Sequence, residues 1–254
     1  MEGRDWRVGC AGFPVSREKY FAALDLVELQ DTFYDPPTER ALGRMRRGAP
    51  EGFVFALKAW QLITHPPSFQ GYARIRRRWD RGLGARFGHF QAGEDVRWAW
   101  SVLRAAAEAL RAGAILFQTP PTFTPTAENR KHMAGFFAEI ERGPWRLVWE
   151  PQGVWDDQDV EEICHRLGLV PAVDPLVSRP MPGEFFYCRL RRPKHRRPGY
   201  TEDDFARISD RVLSQERPGG AQHGHFIFDS PASFRDAERF RRWLAEQDRV
   251  NGSA

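Results

Sequence analysis

The stretch FALKAWQLITHPP, Phe55–Pro67, starts as a buried strand, ends that strand on Lys58 and turns at once into Thr-His-Pro-Pro. Two prolines stiffen the chain beyond it, so the lysine leads into a shaped loop rather than into more sheet. The same pattern recurs along the chain. With FVFALK counted as one, there are eight short runs: WRVGCAG, DLVELQ, FVFALK, AILFQ, RLVWE, LVPAVD, FFYCRL and HFIFD. Most are continuous apolar runs, as expected of strands covered on both faces.

The segments between them read as helices. VRWAWSVLRAAAEALRAG, Val96–Gly113, spaces Trp100, Leu103, Ala107 and Leu110 by three and four residues and is expected to stop at its glycine. DDQDVEEICHRLG opens with acids that suit the positive helix end and closes on Arg-Leu-Gly. SPASFRDAERFRRWLAEQ supplies a last amphipathic helix. Eight strands alternating with helices over 254 residues make a single (β/α)₈ TIM-type barrel the expected α/β fold. Its core is expected over about 6–246, with a long Arg-rich excursion at 66–93 between strands three and four and a flexible tail at 247–254. An open doubly wound sheet is the runner-up. It would ordinarily place a GxGxxG turn after the first strand, and GCAGFPVS is no such turn.

Composition narrows the function classes. No window approaches the length of a membrane span and MEGRDWRVG lacks a signal-peptide core, so a soluble, cytoplasmic protein without membrane partners is expected. Cys10, Cys164 and Cys188 are too few and scattered for a disulfide framework or a zinc knuckle, and read as reduced structural thiols. Net charge is +4, from 38 basic and 34 acidic residues. Only Lys19, Lys58, Lys131 and Lys194 are lysines, so a lysine at a strand end stands out.

Polar groups close most of the apolar runs: Glu28 and Gln30, Lys58, Gln118, Glu150, Asp174, Arg189 and Asp229. In a barrel these ends converge, and alternation lets Ala56/Lys58, Leu116/Gln118, Val148/Glu150, Ala172/Asp174 and Tyr187/Arg189 each share a face. The pattern admits two readings. One is a set of buried ion pairs; the other is a site in which Lys58, His65, Glu150 and Asp174 do chemistry while Glu28, Thr64, Gln118, Trp155, Arg189 and Asp229 contact substrate. Lys58 and Arg189 would hold an anion, Glu150 and Asp174 would act as bases, and His65 as an acid. A divalent metal on Glu150, Asp174 and His65 is a further option. His223 and His225, at the start of the eighth strand, read as structural.

The basic stretches bear on partners. Arg189–Arg197 carries six cations and no acid, and Gly71–Arg97 has seven arginines against three acids, in a chain of pI about 9.2. Such loops are either solvated charge or a collar for phosphate-bearing ligands, including nucleic acid through 71–97 and 189–197. Tyr72, Trp79, Phe87 and Phe90 add a stacking option, with core packing their commoner use. GxSxG, HExxH, Walker and nucleotide-cofactor motifs are absent.

The series VGCAGFPVSREKYF, VELQDTFYDPP, FALKAWQLITHPP, LFQTPPTF, WEPQGVW, AVDP, FYCRL and HFIFDS…DAERF resembles, in this order, the motifs of the YecE-like family, domain of unknown function family seventy-two. KAWQLITHPP is closest to its archaeal-style branch. The resemblance implies a (β/α)₈ barrel with a cleft at the strand carboxyl ends, and no reaction. The family's polar positions match Glu28, Thr32, Lys58, Thr64, His65, Gln118, Glu150, Asp174 and Arg189. Departures occur at Gln152, at Arg191-Arg192 and at Asp229-Ser230. The reading that joins these observations is an acid/base or metal-assisted, hydrolase-like enzyme acting on a phosphorylated or nucleotide-like anion. A nucleic-acid-binding adaptor on a barrel scaffold and a metal-dependent nuclease are its alternatives.

Overall fold

The structure, a computed structural model, describes residues 5–77, 86–181, 183–191, 199–213 and 223–252. All eight expected strands are present and parallel, and they close a barrel in which the strands follow one another in chain order. Contacts group the chain into two compact units, one of Met1–Glu28, Pro50–Val54 and Ala172–Ala254, the other of Leu29–Ala49 and Phe55–Pro171.

In the first unit β1 (Asp5–Ala11) lies between β2 (Leu26–Leu29) and β8 (His223–Phe228), and β8 lies beside β7 (Phe185–Leu190). The short β6 (Val170–Val173) pairs Ala172 with Tyr187. Helix α1 (Arg17–Ala23) starts where the Ser16 side chain accepts from the Lys19 N–H. Its Tyr20 is fully buried, accepting from the Cys10 N–H at 2.7 Å and donating to the Leu26 carbonyl at 2.8 Å, so one phenol ties helix to strands. The last helix runs from Ser233 to Gly252 and sets Phe240 against Phe226 and Phe228. The tail expected from 247 onward is therefore helical to Gly252: Gln247–Asn251 contains neither proline nor glycine to break the turn sequence.

In the second unit β3 (Val54–Lys58), β4 (Ala114–Thr119) and β5 (Arg146–Pro151) form a continuous ladder that β6 extends. The 17-residue helix Glu94–Leu110 precedes β4 and buries Val96, Trp100, Leu103, Ala107 and Leu110 along one stripe. It ends one residue before Arg111, which adopts the left-handed conformation at φ 51°, rather than at Gly113; the Gly113 N–H instead bonds the Phe55 carbonyl at 2.8 Å. Helix Asp157–Leu167 ends as expected, at Gly168 with φ 60°.

The excursion after β3 is more ordered than a loop. Gln61–Thr64 is a buried helical turn, Gln70–Arg74 is a 3₁₀ turn, and Tyr72, Ile75, Phe87 and Phe90 enter the core. Gly88, His89 and Phe90 donate to the carbonyls of Leu62, Thr64 and Ile63, laying the returning segment of the excursion directly on QLIT. Gly88 permits this: its φ is +84°, and a Cβ there would sit 2.1 Å from the His65 oxygen. The three described aromatics once open to a stacking role, Tyr72, Phe87 and Phe90, are core residues; Trp79 lies outside the described residues.

Candidate active site

The expected site residues fall into two sets, one in each unit. In the second unit, β3–β5 register decides which side chains are neighbours. Lys58 pairs with Leu116, Leu116 with Val148, and Gln118 with Glu150. Alternation then puts Lys58, Gln118 and Glu150 on one face of three adjacent strands, as the sequence pattern expects. Gln118 Nε2 donates to Glu150 Oε2 at 2.7 Å in a buried setting, so the amide fixes the orientation of that carboxylate.

Lys58 ends its strand with the ammonium 4.2 Å from the centre of the Phe33 ring, and its carbonyl accepts from the Thr32 hydroxyl at 2.7 Å. His65 packs on the same Phe33, with ring centres 4.8 Å apart, and on Phe69 at 4.6 Å. Its Nδ1 lies 2.8 Å from the Thr64 hydroxyl. Burial, then the nearby Lys58 and His89, push its pKa down from 6.5 to about 3. Burial thus favours the neutral imidazole near pH 7, a ring that still carries one N–H donor and one acceptor nitrogen.

Trp155 lies just beyond β5. It stacks on Phe123 with planes 26° apart, meets Trp149 edge-on and donates from Nε1 to the Phe123 carbonyl at 2.6 Å. Arg130 covers it at 5.2 Å. Phe33 and Phe123 escaped the sequence reading. Their signal was present in DTFYDPP and TPPTF, where single aromatics sit among turn residues.

The first unit assembles Glu28, Tyr187, Arg189 and Asp229. Arg189 donates to Glu28 at 2.8 Å and to Asp229 at 3.0 Å, and the Tyr187 hydroxyl donates to the other Glu28 oxygen at 2.8 Å. The side chains of Arg189 and Glu28 are 1% and 0% exposed, so in this arrangement neither offers surface to a ligand. This is a buried ion pair of the kind the first of the two sequence readings expects. Asp229, 39% exposed, also accepts from Arg191 at 3.3 Å and carries the network outward. Asp174 lies just beyond β6, and its Oδ1 accepts the Leu176 N–H at 2.9 Å, which closes a turn.

The three thiols are free and buried, and burial raises the pKa of each, to about 12 for Cys10 and Cys164. His225 is buried and neutral, its pKa lowered to about 3, while His223 is exposed near Asp5. Among the described residues no group of three or more His, Cys, Asp and Glu is placed to hold a metal ion. Residues 78–85 and 192–198, the middle of each Arg-rich stretch, lie outside the described residues. No helix among the described residues is long and apolar enough to cross a membrane.

A closed parallel barrel with helices between its strands defines the class: an α/β barrel with polar residues at strand carboxyl ends. The chain belongs to the family described as "Protein of unknown function DUF72", which it matches over residues 14–253. No curated protein matches it. A DUF72 family protein from Enterococcus faecalis V583 is similar in structure, with TM-score 0.69 and 16% identity over 97% of this chain and 99% of that one. One from Thermotoga maritima MSB8 gives TM-score 0.66 and 18% identity over 95% and 99%. A D-tagatose 3-epimerase-like protein shares the fold at TM-score 0.57 and 12% identity, over 97% and 99%.

Proposed function

We propose that the chain is an acid/base enzyme acting on a small anionic substrate, phosphorylated or carboxylated, at the carboxyl ends of β3, β4 and β5. One observation carries this reading: a cation, an amide and a carboxylate share one face of three adjacent strands, with the amide bonded to the carboxylate at 2.7 Å. A buried carboxylate oriented by a neutral amide keeps its charge in that contact, which suits a proton acceptor. Glu150 takes the proton from the substrate, and Gln118 keeps the carboxylate aimed. Lys58, set against Phe33, supplies the positive charge that holds the substrate's anionic group.

His65 serves as a neutral donor. In the tautomer whose Nδ1 accepts from the Thr64 hydroxyl, the ring proton sits on Nε2, where it can polarise a substrate oxygen without a protonation step. Glu28 and Arg189 have no ligand-touching role in this scheme; they hold Asp229 and the strand ends of their own unit.

A panel of phosphorylated and carboxylated sugars, nucleosides and short acids, assayed for turnover, tests the class. On any accepted substrate Lys58→Met should raise KM about tenfold to a hundredfold, the worth of a charge-assisted contact, and should matter little for an uncharged analogue. Equal effects on charged and uncharged substrates would remove Lys58 from the anion-holding role.

A further inference from the structure

Asp31 and residues 34–38, just after β2, together with Ala73, Arg74, Arg76 and Arg77 of the excursion line an open pocket of about 840 Å³. Lys58, His65, Gln118 and Glu150 do not line it, so it stands apart from the proton-transfer set. Its volume is within the range of small-molecule sites.

The two walls are fastened to each other. Asp35 Oδ2 accepts the N–H groups of both Arg76 and Arg77 at 3.1 Å, and the Arg77 guanidinium donates to the Pro36 carbonyl at 3.1 Å. Tyr34 is anchored through its carbonyl, which accepts from Trp60 Nε1 at 3.1 Å and Gln61 Nε2 at 3.0 Å. The rest of the pocket surface is chemically distinct. Arg74 lies flat over Tyr34, 3.4 Å from its ring centre. The exposed guanidinium of Arg76 and the exposed carboxylate of Asp31 have no partner among the described residues. Pro36 and Pro37 add an apolar side.

We propose that this pocket binds a nucleoside monophosphate. Arg74 and Arg76 receive the phosphate, the first already held in place by Tyr34 and the second with an exposed guanidinium. The base lies along Tyr34, Pro36 and Pro37, and Asp31 accepts from an N–H or hydroxyl of the nucleoside. Each part excludes a simpler ligand. Inorganic phosphate would meet Asp31 as a repulsive neighbour with nothing to donate to it, and a bare nucleoside would leave both arginines without an anion. A nucleic-acid strand would bring repeated phosphates past Asp31, where the charge has the wrong sign.

Calorimetric titration of the whole chain with adenosine monophosphate, adenosine, inorganic phosphate and a single-stranded oligonucleotide tests this. Adenosine monophosphate should bind at least about tenfold tighter than each of the other three, and Arg74→Ala and Arg76→Ala should each weaken it about tenfold or more. Both arginines are exposed, and urea midpoints check that the variants fold. Glu150→Gln should leave the affinity unchanged, which separates this site from the proposed catalytic one. Absence of binding, affinity indifferent to both arginine variants, phosphate binding as tightly as the nucleotide, or tighter binding of the oligonucleotide would each overturn the proposal.

Discussion

Replacing Arg189 with methionine should destabilise the protein by about 3–5 kcal/mol, because it strips the guanidinium from a Glu28 carboxylate that is 0% exposed. The Tyr187 hydroxyl would remain on Glu28, and a neutral donor does not replace an ion pair in a buried setting. The double variant Glu28→Gln/Arg189→Met should recover most of the loss, since the cost lies in the abandoned charge and not in the absent attraction. Urea unfolding of the three proteins reads this directly. A single-variant loss below about 1 kcal/mol would mean that Glu28 relaxes to another partner or to water.

The second large effect is on pH. His65 and His225 have pKa values lowered to about 3 in the folded protein, chiefly by burial, against 6.5 when exposed. A base whose folded pKa is depressed is protonated more readily in the unfolded chain, so its contribution is intact above pH 6.5 and is lost as pH falls from there toward 3. Between about pH 7.5 and about pH 5 each histidine should cost about 2 kcal/mol, from roughly 1.5 pH units below 6.5 at 1.36 kcal/mol each. Together they should remove about 4 kcal/mol, and His65→Phe should remove about half of that pH dependence while leaving the rest. An unaltered pH dependence in His65→Phe would show that the ring is already protonated or solvated in the folded state.

Much of this architecture can be read from the chain. Eight apolar runs became eight strands because strands covered on both faces need no polar alternation, and continuous hydrophobicity marks them. Lys58, Gln118 and Glu150 share a face because side-chain alternation and parallel register are local rules. The features that escaped depend on distant or subtle partners. Glu28 and Arg189 are 161 residues apart, so the strand-end pattern admits buried ion pairs without telling which residues pair. His65 stands in an exposed-looking THPP motif, and its neutrality comes from Phe33, Phe69 and the returning segment at Gly88–Phe90. Arg111 ends its helix in a conformation usually given to glycine, while Gly113, the residue that looks like the stop, lies two positions later. The Asp31–Thr38 and Ala73–Arg77 walls are each ordinary turns in sequence; only their packing makes a pocket.

The most direct test of the proposed function is the turnover number of Glu150→Gln on the first substrate the wild-type protein accepts. Glutamine keeps the shape and the ability to bond Gln118 but cannot accept a proton, so kcat should fall by about a thousandfold with the urea midpoint close to wild type. A kcat within about twofold of wild type would contradict the assignment of Glu150 as the proton acceptor and, with it, the site on β3–β5.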